Sequence, residues 1–202
     1  MIRGGDAVKF SNSIELEIRG ERALFRDPLR PQTLPVPSCE ALKGILGSIY
    51  WNPDFIWVPD SLRVMEPIGY TREGARTSDG SRFTNAGVHC LKDVRYQLRA
   101  HFVWNEQRPG SVKLTERDEI KHFRIALRSL GRADCPAAVR SVHFGEGAGA
   151  YDSGKAVSLG ILYHSFDYTA GEPRYFNCIM ESGVIRYSAQ ELFPLPELAN
   201  KR

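Results

Sequence analysis

Residues 14–19, Ile-Glu-Leu-Glu-Ile-Arg, alternate strictly between apolar and polar, which predicts a half-buried strand. A proline-rich loop fills 20–37. Ser38 then stands before Leu42, Ile45, Leu46 and Ile49, and that spacing behind a good N-cap predicts a helix over 39–50. Pro53 forbids its continuation. Gly44 and Gly47 lie on the polar side near Lys43. Each costs about 1 kcal/mol relative to alanine inside a helix, so close approach of another backbone is expected there. Residues 55–68 read as one or two short strands. Residues 69–91 show little period and read as a mobile clamp carrying Arg72, Arg76 and Arg82, or as a plain surface loop. The clearest strand is 94–104. Val94, Tyr96, Leu98, Ala100, Phe102 and Trp104 share one face, and Arg95, Gln97, Arg99 and His101 share the other. One core face and one basic face suit a sheet that carries single-stranded nucleic acid, although solvated charge on an edge strand gives the same pattern.

Residues 115–131 read as a second helix from both ends. Thr115 is an N-cap, acids crowd the first turn, and Gly131 stops it. Ile120, Phe123, Leu127 and Leu130 form an apolar face, and Arg117, Lys121, Arg124 and Arg128 form a basic stripe beside it. His122 follows Lys121, lying roughly 100° further round the helix. A cation that can grip phosphate thus neighbours the one side chain that titrates near neutrality. The same spacing also describes a solvated basic face with an incidental histidine.

The remainder predicts a strand at 140–144, a glycine loop at 145–149, and three antiparallel strands at 158–168, 174–181 and 184–187. Residues 149–155 match the spelling of a phosphate loop, but Ala156 replaces the magnesium-binding Ser or Thr. A strand pattern follows where a phosphate loop must open a helix. The order strand, helix, strand, strand, helix, strand predicts an α+β fold with a ferredoxin-like (RNA-recognition-motif-like) domain over 14–148. A small C-terminal antiparallel β-sheet at 149–202 follows it, and 1–13 is expected to be a loose leader.

At 202 residues and 42% hydrophobic content, the chain can build one well-packed domain with an appendage. The net charge of +3 permits an acidic partner without demanding one. Four cysteines (Cys39, Cys90, Cys135, Cys178) form no Cys-x-x-Cys pair, and five histidines form no His-x-x-x-His pair. Neither a zinc knuckle nor a disulfide framework is suggested. The reading is a cytoplasmic protein with no membrane span, no cofactor and no metal site.

Longer blocks carry a resemblance. They are Ala23-Leu-Phe, Val36-Pro-Ser-Cys-Glu-Ala-Leu-Lys-Gly-Ile-Leu-Gly-Ser-Ile-Tyr-Trp51, Leu62-Arg-Val-Met-Glu-Pro-Ile68, and Leu91-Lys-Asp-Val-Arg-Tyr-Gln-Leu-Arg-Ala-His-Phe102. The Lys121-His122 helix, Phe144-Gly-Glu-Gly147 and Met180-Glu-Ser-Gly-Val-Ile185 complete the set. Together they resemble CRISPR-associated protein five of the type I-C (Dvulg) subtype. The resemblance implies an endoribonuclease that cuts CRISPR repeat RNA. It would then stay on the guide RNA's 5′ handle beside the backbone and large subunits of a Cascade complex. It also implies a catalytic trio, Tyr50, Lys121 and His122, although spacing alone reads Tyr50 as an amphipathic helix-end residue.

Metal-free cleavage needs the 2′-hydroxyl deprotonated, the phosphorane stabilised and the 5′-oxygen protonated. Lys121 is assigned to charge stabilisation, His122 to proton transfer and Tyr50 to positioning, with 2′,3′-cyclic phosphate and 5′-hydroxyl products. Lys43, Arg95, Arg99, Arg117, Arg124 and Arg128 are the candidate RNA contacts. The rival expectation is a subunit that binds the guide's 5′ handle without cutting it. A metal-dependent DNA nuclease ranks last, because no carboxylate cluster for two metals is evident in the sequence.

Overall fold

The computed structural model describes residues 12–28, 30–76, 83–105, 128–129 and 135–194. It is mostly antiparallel sheet with one short helix among the described residues. Strand β1 (Ile14–Ala23) keeps the predicted alternation and extends past it. Two short strands, β2 (Arg26–Asp27) and β3 (Arg30–Thr33), pair inside the proline-rich loop. Helix α1 (Cys39–Ile49) starts where predicted, with the Ser38 Oγ accepting the Ala41 N–H at 3.1 Å. It buries Leu42, Ile45, Leu46 and Ile49.

Strand β4 (Phe55–Val64) is followed by β5 (Gly69–Arg76) and the long β6 (Phe83–Trp104). Strands β5 and β6 pair from Gly69↔Lys92 to Arg76↔Phe83. Within the irregular segment expected at 69–91, residues 69–76 and 83–91 therefore form a β-ribbon, and Arg82 lies outside the described residues. Its pairing rests on backbone hydrogen bonds, and its sequence has no apolar alternation that would announce a strand.

Arg128–Ser129 form β7, which pairs with β8 (Pro136–Ser141) through Arg128↔Ala137 and Ser129↔Pro136. Arg128 and Ser129 are therefore extended rather than part of the helix expected over 115–131, whose other residues lie outside the described residues. Long-range pairing overrides the local helical period there. The strand expected at 140–144 is displaced to β8, and Phe144 and Gly145 lie in a turn.

Strand β1 sits between β6 and β8, and β4 flanks β6, giving the sheet order β4-β6-β1-β8-β7. Strands β9 (Val157–Asp167), β10 (Glu172–Met180) and β12 (Phe193–Pro194) form a second sheet. The third expected annex strand, β11 (Val184–Arg186), pairs instead with β4 of the large sheet. Its three residues specify a strand but not its neighbour. One continuous core joins Leu16, Leu98, Leu62 and the buried face of α1 to Tyr175, Phe176 and Cys178 of β10. Tyr175 and Asp27, both buried, share a 3.1 Å hydrogen bond that ties the second sheet to the β2–β3 hairpin.

Candidate active site

Tyr50 caps the C-terminus of α1 in an extended conformation (φ −146°, ψ 114°). Its N–H donates to the Leu46 carbonyl at 2.9 Å, closing the last helical turn. Its own carbonyl accepts the Trp57 indole N–H at 3.0 Å. The Tyr50 ring lies 5.8 Å from that of Phe55, which stacks on Phe102 at 4.4 Å. Trp57 meets both Phe55 and Phe102 edge-on at 5.1 and 5.9 Å. Aromatic pairs in such geometry contribute about 0.5–1.5 kcal/mol each beyond their buried area, so this end of the helix is anchored on a rigid cluster.

The turn after Tyr50 is equally fixed. Asn52 Oδ1 accepts the Asp54 N–H at 2.9 Å, a turn type that asparagine favours. Asn105 donates its N–H to the Asp54 carbonyl at 2.8 Å and its side-chain amide to the Pro53 carbonyl at 3.3 Å. The chain thus leaves β6, at Asn105, beside the turn that follows Tyr50. Arg117, Lys121, His122 and Arg124 lie outside the described residues. The backbone of Arg128 is in β7, whose Cα atoms come within 8 Å of those of α1.

The remaining candidate RNA contacts are paired with acids. Lys43 Nζ is 3.5 Å from Glu40 one turn earlier. Arg95 donates to Glu17 at 2.9 and 3.1 Å, and lies 3.8 Å from Glu66. Arg99 donates to Glu15 at 3.0 Å, and its guanidinium lies 4.6 Å from the centroid of the Phe144 ring. Arg140 adds a second cation on Glu17 at 2.9 Å. Burial works to raise the Glu17 pKa, but hydrogen bonds from Arg140 and Arg95 outweigh it and hold the carboxyl below its ordinary value. A groove of about 780 Å³ beside Arg19 and Arg95 also contains Glu21, Glu66 and Asp93. Its mixed charge gives it no cationic field for a phosphate backbone.

The polar face of β6 is therefore not an open basic surface. Gln97 and His101 are buried on it. Gln97 donates to the Glu146 carbonyl at 2.7 Å and accepts from the Gly145 N–H at 2.9 Å. Buried Arg63 clamps the same loop through the Gly147 carbonyl at 2.8 Å and Asp152 at 2.6 Å. Gly145 and Gly147 take φ values of +96° and +76°, a region open to glycine. This loop, from the segment expected as a glycine loop, closes over the sheet. Lys155 is followed by β9 rather than a helix.

Asp60 lies at the register shift beside Pro59, and its two carboxylate oxygens lie 3.0 and 2.9 Å from His101 Nδ1. Burial raises the Asp60 pKa against the pull of that hydrogen bond. Glu15, Glu17 and Asp60 were missed as partners of the basic face. The alternation of β1 put both glutamates on one side, but only the antiparallel register, Glu15↔Arg99 and Arg19↔Arg95, brings them to the arginines. A Cβ added at Gly44 or Gly47 would meet nothing within 4 Å among the described residues, so no close backbone approach accounts for either glycine there. Among the described residues no group of three His, Cys, Asp or Glu side chains could hold a metal ion. No helix among them is long and apolar enough to cross a membrane.

A family model described as CRISPR-associated protein (Cas5) matches residues 13–187. The chain belongs to the Cas5 family. A curated relative from Mannheimia succiniciproducens, named CRISPR pre-crRNA endoribonuclease Cas5d, is 24% identical over 87% of this chain and 94% of its own length. Two solved structures share the fold. One, titled as a CRISPR-associated protein, is 29% identical with a TM-score of 0.74 over 88% of this chain and 92% of its own. The other, a functionally uncharacterized protein from Streptococcus mutans, is 30% identical with a TM-score of 0.72 over 89% of this chain and 95% of its own. The Cas5 match begins one residue before β1 and ends one residue after β11, so it spans the large sheet, strands β9 and β10 of the second sheet, and Tyr50.

Proposed function

We propose that this Cas5 protein is a metal-independent endoribonuclease that cleaves CRISPR repeat RNA. It then stays on the 5′ handle of the guide in a type I-C Cascade complex with the backbone and large subunits. The observation that carries this reading is the family match over 13–187, joined to a relative named as a pre-crRNA endoribonuclease that aligns over nearly its whole length. The strand order β4-β6-β1-β8, with α1 between β1 and β4, supports a ferredoxin-like core. The chemistry belongs in the cytoplasm, where the repeat transcript is made.

In this mechanism the substrate supplies its own nucleophile. Tyr50, held at the end of α1, orients the 2′-hydroxyl beside the scissile phosphate. His122 transfers a proton and Lys121 stabilises the charge that builds on the phosphorane. The oxygen–phosphorus bond to the 5′-oxygen breaks as the 2′-oxygen bonds to phosphorus, leaving a 2′,3′-cyclic phosphate and a 5′-hydroxyl. Arg117 and Arg124, with Lys43 and Arg128, add affinity for the RNA backbone. The test is incubation of the purified protein with repeat RNA in EDTA. Cleavage that persists, with ends blocked by a cyclic phosphate, supports the reading. Cleavage that needs added magnesium overturns its metal independence, and tight binding without cleavage supports a purely handle-binding subunit.

A further inference from the structure

Trp51 directly follows the proposed catalytic tyrosine and is 72% exposed, whereas Trp57 is buried. Among the described residues no other ring lies against the Trp51 indole. An exposed indole leaves a large apolar surface in water. The backbone that carries it is nonetheless held on both sides. Tyr50 is bonded through its N–H to Leu46 and through its carbonyl to Trp57. Asn52 accepts the Asp54 N–H with its side chain. The following turn is bonded to Asn105, the residue after β6. A flat π-surface on a pre-ordered segment loses little conformational freedom when a planar group covers it.

We propose that Trp51 is a stacking platform for an unpaired nucleobase of the repeat RNA, next to the phosphate that is cut. The proposal rests on the reading that this chain binds repeat RNA. Stacking fits the placement better than a hydrogen-bond reader would, because the indole offers one donor and two open faces. A base fixed on Trp51 would set the register of the strand relative to Tyr50, one residue away. Trp51 is in this sense a specificity residue that touches substrate without entering the proton transfers.

The test is equilibrium binding of the protein's own CRISPR repeat RNA, and of a series in which each unpaired nucleotide in turn is made abasic. All arms carry His122→Ala so that the RNA stays whole. We expect Trp51→Ala to weaken binding about 5- to 150-fold, the usual range for loss of one stacked base, and Trp51→Phe to recover most of that loss. One abasic position should weaken binding to the Trp51-containing protein by a similar factor and have no further effect with Trp51→Ala, since both remove one contact. Because Trp51 is exposed, its variants should melt with the parent, which separates lost contact from lost fold. Unchanged binding by Trp51→Ala overturns the proposal and leaves the indole to a protein partner. Additive losses at every abasic position overturn it too. Cutting by the protein with His122 intact is scored separately, so RNA that is bound but never cut defeats the nuclease reading while the stacking test still stands.

Discussion

The indole N–H of Trp57, a buried residue of β4, donates to the carbonyl oxygen of Tyr50 at 3.0 Å. The proposed catalytic tyrosine is thereby oriented by the strand that follows its helix. Trp57→Phe keeps an aromatic ring and removes the donor. We expect a stability loss of about 0.5–1.5 kcal/mol from the missing hydrogen bond, more if the smaller ring leaves a cavity. The saturating single-turnover rate should fall while RNA affinity holds. Denaturant unfolding and rate measurements on one preparation check both, and a wild-type rate would contradict the positioning role.

Tyr50→Phe, Lys121→Ala and His122→Ala should each slow cleavage with the fold intact. General acid–base help is typically worth about 10²–10⁴-fold, and His122→Ala should lose something of that order. Single-turnover rates with excess enzyme read it directly. A His122→Ala protein that cuts at the wild-type rate removes His122 from the mechanism.

Arg99 and Arg124 should behave differently. Arg99 is bound to Glu15 and lies against Phe144, so Arg99→Gln should lower stability and leave the salt dependence of RNA binding unchanged. Neutralising Arg124 should flatten the log–log salt slope by roughly 0.7 if it meets a single-stranded phosphate. Titrations at four or five salt concentrations separate them. A flattened slope for Arg99→Gln would show that RNA displaces Glu15.

These contrasts follow from what the sequence could and could not carry. Helix α1 was legible because Ser38, Leu42, Ile45, Leu46 and Ile49 satisfy capping and periodicity at once. The core faces of β1 and β6 were legible because alternation marks a face. The partners were not. Nothing local says that Glu15 and Glu17 of β1 lie across from the arginines of β6, or that β11 leaves its neighbours to join β4. The β5–β6 ribbon escaped because its residues do not alternate. Residues 128–129 were misread because a strand of two residues leaves no period of its own. Spacing places Tyr50 at a helix end, but the catalytic role proposed for it rests on the family resemblance of the chain around it.

His164 adds a pH dependence of stability. It is buried, and desolvation is the largest influence lowering its pKa to about 4. The unfolded chain takes up its proton near the ordinary value of about 6.5, while the folded protein resists until about 4. The unfolded state therefore binds more protons between those limits. Stability should fall with decreasing pH at up to about 1.4 kcal/mol per unit across that window. His164→Gln should flatten the slope from pH 6.5 to 4 in denaturant unfolding series. A slope unchanged by the substitution would assign the acid sensitivity to other groups, such as Glu17 at lower pH.

In the proposed mechanism the substrate's own 2′-hydroxyl attacks the scissile phosphate. Replacing only the ribose 5′ of that phosphate with deoxyribose tests it most directly. One hydroxyl contributes about 0.5–1.5 kcal/mol as a hydrogen bond, and phosphates carry most of the attraction, so binding should barely change. Filter retention and gel analysis on the same substituted RNA give both quantities. Near-normal binding with no cleavage at that bond is expected. Cleavage at the normal position would mean that water attacks, and would contradict the roles given to Tyr50, Lys121 and His122.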